Sequence, residues 1–281
     1  MIYEFGSDVL RCQVSTLGAE LISVVHNGKE RLWQNESGYW NGHAPILFPY
    51  GGNCAVMVDG VLYPEQKHGF ISAQRFSLHE KTADSVTLCF SSNEETRRLY
   101  PFDFSLFITY LVAGNCLKIT YKAVNDGQRT MYAGFGCHES YALDVEAEDC
   151  EVVFEKEEKL LSLMASGDNG KLTGETVDFG VGKVLPLPKR LLNPTVILQT
   201  NSRAVSLRKR GEEKLLARVS YPDFSNLLIW AVKKGKMVCI EPWQNLPDED
   251  QKAPQELCKK QGLTAIAAGE TLTAFHEITY F

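Results

Sequence analysis

The stretch CLKITYKAVN, residues 116–125, puts Leu117, Ile119, Tyr121 and Ala123 on one side of an extended chain and Lys118, Thr120 and Lys122 on the other. Successive side chains of a strand point to opposite faces, so a period of two marks one buried and one solvated surface. The same reading fits the segments around it. In TLTAFHEITYF (271–281), Leu272, Ala274, Ile278 and Tyr280 share a face. SVTLCFSS (85–92) and FSLFITYLV (104–112) are further short strands, and LLIWAVKKGKMVCIE (227–241) reads as a hairpin turning at residues 233–236, around Gly235. Many short strands punctuated by Gly, Asn and Asp predict an all-β antiparallel sandwich or barrel.

Helical signals are few. APQELCKKQG (253–262), with Pro254 near its start and Gly262 past its end, predicts one short helix, and KEEKLLSLMASG (156–167) is a candidate for a second. Residues 167–194 have poor periodicity and read as a surface excursion. There is no Pro/Gly-rich linker and no repeat, so 1–281 reads as a single domain.

The totals exclude several classes of function. A net charge of -6 without a basic stripe argues against nucleic acid and anionic membranes as partners. No apolar run approaches the roughly 20 residues of a membrane-spanning helix. The N-terminus MIYEFGSDVLRCQV has no signal-peptide pattern, and the eight cysteines form no CxxC pair. The expectation is a reduced, cytoplasmic protein whose cysteines are mostly small core residues.

Three ionisable residues stand apart from any charge cluster: His68 in EQKHGFIS, His138 in GFGCHESY and Glu241 in MVCIEPWQ. Glu241 ends an apolar strand, with Pro242 as a strand stop and Trp243 two residues on, on the same side of the backbone. A strand-end carboxylate hydrogen-bonded to a loop accounts for Glu241; so does half of a sugar site, in which a ring stacks on the sugar and a carboxylate holds hydroxyls. Burial would raise its pKa toward that of a general base. His68 and His138 equally fit structural roles. His68, His138 and Glu241 lack the short spacing that anchors a zinc site, so no metal is expected. Pairing Cys137 with His138 as nucleophile and base is disfavoured, because adjacent strand residues point apart.

Six segments in order carry a resemblance across nearly the whole chain: GAELISVVHNGKERLWQ (18–34), YWNGHAPILFPYGG (39–52), YPEQKHGF (63–70), ETRRLYPFDFSLFITYLV (95–112), GFGCHESY (134–141) and CIEPWQNLPD (239–248). The sequence resembles the aldose 1-epimerase (galactose mutarotase-like) superfamily, and within it the LacX-like branch. The resemblance implies a β-supersandwich of two large, mostly antiparallel sheets. It implies an isomerase that needs no cofactor and interconverts the α and β anomers of a free aldose, as a monomer or homodimer. Glu241 is then the candidate base, His138 the candidate acid and His68 a group that polarises the sugar near its ring oxygen. Asn53, Trp243, Arg75 and Phe70 are the expected substrate contacts.

Three positions depart from the family pattern. Asn53 stands near the usual arginine, Glu139 replaces the proline after the second histidine, and the usual aspartate before the strand at Val205–Leu207 is met only by Asn193 and Thr195. A non-catalytic sugar-binding or sensing protein therefore stays open. So does a hexose-phosphate mutarotase, for which Lys67, Arg75, Arg97 and Arg98 are the available cations. A glycoside hydrolase would need two facing carboxylates about 5–9.5 Å apart, and only Glu241 is convincing.

Overall fold

The computed structural model describes residues 1–35, 38, 40–187, 195–231 and 235–281. Cys116–Asn125 is a strand at the centre of the expected pattern. It pairs antiparallel with Phe104–Ala113 on one side and Thr271–Tyr280 on the other. The registers align Val112, Leu117 and Ile278 in one row and Ile108, Tyr121 and Ala274 in another. All six are buried. A one-residue slip would turn Lys118 and Lys122 into the core, so alternation and burial together hold the register. On the outer face Lys118 Nζ lies 3.8 Å from the centroid of the Phe275 ring, a cation–π contact that covers apolar surface.

The all-β architecture is built from large antiparallel sheets. Among the described residues, one sheet of 13 strands, with Leu172–Pro186 branching off Cys150–Ala165, has a path of 12 that starts at Glu139–Ala142 and runs through Met237–Trp243, Asn226–Trp230 and Val196–Gln199 to Cys150–Ala165. It continues through Ala204–Lys209, Leu215–Ser220 and Thr271–Tyr280 to the Cys116–Asn125 group, and ends at Ser77–Lys81. A separate four-stranded sheet spans Ile2 to Glu30. No described helix is long and apolar enough to cross a membrane.

Four local expectations are corrected. The segment 156–167 is not helical but lies in the strand Cys150–Ala165. Period two wins over its helix-forming Lys and Glu residues, because Glu158, Leu160 and Ser162 point inward. Buried Glu158 accepts hydrogen bonds from the backbone amides of Asn201 and Ser202. The excursion after Gly167 is largely the strand Leu172–Pro186, paired to Cys150–Ala165. In 253–262 only Leu257–Lys259 forms a 3₁₀ turn. There the Glu256 carboxylate accepts hydrogen bonds from the amides of Asp59 and Gly60, a tertiary tie that overrides helix propensity. Finally, Pro242 does not stop its strand, which runs on to Trp243 with Leu227 opposite Pro242. The hairpin of 227–241 is present as Asn226–Trp230 paired with Met237–Trp243. Residues 232–234, which include half of the expected turn at 233–236, lie outside the described residues, as does Asn193.

Candidate active site

Strand register brings the acid–base candidates together. Glu139 pairs with Ile240, so the next step of the ladder sets His138 opposite Glu241, and cross-strand neighbours share a face. His138 Nε2 lies 3.5 Å from Glu241 Oε2. His68 arrives from a different element, at the end of the strand Val61–Lys67. Its ring stands edge-on to His138 at 5.7 Å and to Trp243 at 5.3 Å between centroids.

The backbone around His68 is held from both sides. The His68 amide donates to the Gly52 carbonyl at 2.8 Å, and the Gly52 amide donates to His68 Nδ1 at 3.0 Å. An accepting Nδ1 leaves the proton of the neutral ring on Nε2. Gly69 has φ +70° and lies against the Phe48 carbonyl, where a Cβ would collide with the oxygen. Glycine is the residue that fits there.

The three side chains line a cavity of about 570 Å³. Trp40, Trp230 and Trp243 also line it, three of the four tryptophans in the chain. Trp40 stacks on the His138 ring at 5.1 Å and 25°. Trp243 donates from Nε1 to the Cys137 carbonyl at 3.1 Å. Its ring covers Gly51, where a Cβ would stand 2.6 Å from Trp243 Cε3. Broad aromatic faces beside polar groups suit the C–H faces and hydroxyls of a sugar.

Burial governs the electrostatics. It pushes the Glu241 carboxyl well above its usual value, and the buried Glu139 carboxylate adds to the rise while Lys67 opposes it. Burial pushes His138 down to about 4 and His68 well below its usual value, the latter also by repulsion from His138 and Lys67. The Glu241–His138 couple therefore holds one proton between two sites and stays uncharged overall.

A carboxyl whose folded pKa is raised keeps its stability contribution below its unfolded value and loses it as pH climbs. Glu241→Gln is therefore expected to gain stability relative to the unmodified protein above pH 4.5, the ordinary value of the carboxyl. The gain should approach about 1.4 kcal/mol per pH unit until the folded carboxyl titrates. Urea denaturation at pH 5, 6 and 7 checks this; a difference independent of pH would refute it.

The aldose 1-epimerase family model matches residues 1–274. The chain belongs to the aldose 1-epimerase family. It is 30% identical over 267 residues to the plasmid-encoded and chromosomal LacX proteins of Lactococcus lactis subsp. lactis, a span covering 88% of this chain and 88% of each relative. Its structure is similar to that of a galactose mutarotase-like protein from Lactobacillus casei ATCC 334, with TM-score 0.92, 25% identity and full coverage of both chains. It is also similar to a galactose mutarotase related enzyme from Lactobacillus acidophilus, with TM-score 0.89, 26% identity and coverage of 100% of this chain and 97% of that one.

Of the other expected contacts, Trp243 and Asn53 line the cavity, and Phe70 and Arg75 do not. Past the Gly69 turn, Phe70 drops into the core against Tyr100 and Phe104, where burying its ring gains more than wall duty would. Arg75 sits in a backbone bridge with Leu17, and the same loop offers Ser72 to the cavity. Arg97 and Arg98 pair with Asp103 and Glu94 on the surface. The Asn53 amide donates to the Asn169 carbonyl, so it anchors the hairpin tip 165–170 that covers one side of the cavity. Thr195 reaches the lining as well.

Sequence reasoning did not single out Trp40, Trp230 or the tip 165–170. Trp40 stood inside a quoted segment, and Trp230 ends the strand beside that of Glu241; the tip carried no signal, because its place depends on a long hairpin folding back. His138, Cys239 and Glu241 place donor atoms within 4.8 Å of one another. Burial holds the Cys239 thiol protonated, which makes it a poor cation ligand.

Proposed function

We propose that this protein is an aldose 1-epimerase that interconverts the α and β anomers of a free aldose without a cofactor. One observation carries the reading: His138 Nε2 and Glu241 Oε2 face each other at 3.5 Å in a cavity lined by three tryptophans. The couple enters the forward step as its ion-paired tautomer, its one proton moved from Glu241 to His138: the Glu241 carboxylate takes the proton of the anomeric hydroxyl, His138 gives its proton to the ring oxygen, and the C1–O5 bond breaks. The open chain is an aldehyde with a free hydroxyl at C5. Rotation about C1–C2 presents the other face of the carbonyl. Closure returns one proton to His138 and one to the new anomeric oxygen, so neither residue ends altered. Because the pair begins and ends with the same protons, no net charge moves through the buried site. Neutral His68, with its proton on Nε2, suits a hydrogen-bond donor to the sugar rather than an acid.

Polarimetry or NMR with freshly dissolved α-glucose, α-galactose and their phosphates tests the reading; exchange no faster than buffer across the panel removes it. His138→Gln is expected to slow exchange about 10²-fold while sugar binding stays within a few-fold, since one proton transfer contributes about 10²–10⁴. Calorimetry beside the kinetics checks the split.

Lys67 favours a second reading, a sugar bearing an anionic group such as a hexose phosphate. It is exposed, lines the cavity and makes no ion pair among the described residues. Faster turnover of hexose phosphates than of free hexoses in the same panel would select it. Neutral Asn53, tied to the hairpin tip, leaves room for a third: a protein that binds sugar without turnover, seen as binding without accelerated exchange.

A further inference from the structure

We propose that Glu139 and His276 are positioning residues for the reaction at His138 and Glu241: a buried carboxylate–imidazole pair on the core side of the same strands sets the electrostatic field in which the reacting pair exchanges its proton. The proposal rests on the acid–base reading of the site given above.

Alternation places the two pairs back to back. His138 and Glu241 face the cavity, while Cys137, Glu139 and Ile240 turn to the core. Glu139 is joined to His138 by a peptide bond and stands opposite Ile240, one step from Glu241. Its Oε1 lies 3.1 Å from His276 Nε2, which comes across the core from the strand Thr271–Tyr280. On the far side of that ring, Nδ1 is 3.3 Å from both Cys137 Sγ and Tyr121 Oη. The ring lies almost parallel to Tyr121, at 11°. Glu139 is 2% and His276 0% exposed.

The order Cys137–His276–Glu139 is that of a nucleophile, base and orienting acid. No described cavity reaches these residues, and burial together with Glu139 pushes the Cys137 thiol well above its usual value, so the cluster does no chemistry of its own. Nor does stability alone explain it. Apolar residues of similar volume in place of a buried ion pair are often neutral or stabilising.

What the pair can do is act on its neighbours. The other titratable groups packed around Glu139 are the hydroxyls of Tyr110, Tyr121, Tyr141 and Tyr280 and the thiols of Cys137 and Cys239, all held neutral by burial. From the cavity side, Lys67 acts on both reacting residues and Glu20 on His138. Glu139 is therefore the charge that presses from beneath. A carboxylate there favours the proton-loaded forms of both His138 and Glu241.

The test follows the Glu241 carboxyl by ¹³C NMR against pH, without sugar, alongside kinetics. Glu139→Gln is expected to lower the Glu241 midpoint by about one pH unit. It should reduce kcat about tenfold with KM unchanged, and move the pH profile of exchange in the same direction. Glu139→Asp, which keeps the charge, should restore the profile, and Cys137→Ser should leave it as it was. An unmoved Glu241 midpoint in folded Glu139→Gln overturns the proposal whatever the activity. If that variant does not fold, Glu139→Met/His276→Phe/Tyr121→Phe, which removes both members of the pair and the hydroxyl that faces them, should give the same shift. Failure of this combined variant to fold, or an unmoved midpoint in it, would mark the pair as structural and overturn the proposal. Absence of exchange in the unmodified protein would fell the epimerase reading, while the sugar-free titration would still decide the coupling.

Discussion

Replacing Glu241 with Gln is expected to slow anomer exchange by roughly 10³–10⁴-fold, toward the upper end of what a positioned proton-transfer group contributes. The amide keeps the size and hydrogen-bonding reach of the side chain but cannot accept the anomeric proton. KM should therefore change little, and the loss should fall in kcat. The site supports a large effect for two reasons. Glu241 is almost wholly buried, 3% exposed at its side chain, so water does not substitute for it as a base. And burial raises its carboxyl pKa, so its carboxylate is a stronger base than an exposed one. Initial rates by polarimetry on freshly dissolved α-sugar, with binding by calorimetry, check the outcome. A drop of less than tenfold would remove Glu241 from the role of base. Residual exchange would then have to come from sugar binding and from His138.

Gly69→Ala is expected to cost about 3–5 kcal/mol of stability, at the upper end of single substitutions. Two terms add. At φ +70° a residue with a Cβ sits in the left-handed region, at about 1–2 kcal/mol. The added methyl would also press on the Phe48 carbonyl, which belongs to rigid, buried backbone and cannot swing aside as a side-chain tip can. Relief requires His68 and its ties to Gly52 to shift. Whatever protein remains folded should thus bind sugar about tenfold more weakly, the loss of roughly one hydrogen bond from a displaced His68 at about 1–1.5 kcal/mol. Urea denaturation gives the stability and calorimetry the binding. An alanine variant as stable as the unmodified protein would show that the Phe48–Gly69 contact has slack.

The local chain already carried much of this. Period-two alternation in CLKITYKAVN and its neighbours is a property of consecutive residues, so strands, their buried faces and the all-β class could be read without a third dimension. The isolated polarity of His68, His138 and Glu241 among apolar, glycine and aromatic neighbours was likewise visible. Helix propensity misled where a tertiary tie outweighed it, as with Glu158 held by the amides of Asn201 and Ser202, or Glu256 by those of Asp59 and Gly60. Such a tie is worth more than the few tenths of a kcal/mol by which propensities differ.

Sequence alone determined the alternation, and with it which side chains share a face of their own strand. Only the tertiary structure decided which strands became neighbours. His138 meets Glu241 through a ladder register about a hundred residues apart in the chain, Trp40 and Trp230 close on them from two further segments, and Phe70 leaves the wall for the core. Likewise, Glu139 and His276 are ordinary residues of two distant strands until the fold buries them 3.1 Å apart. The reason is physical: alternation is local, whereas register, burial and the field at a buried group depend on every segment packed around it.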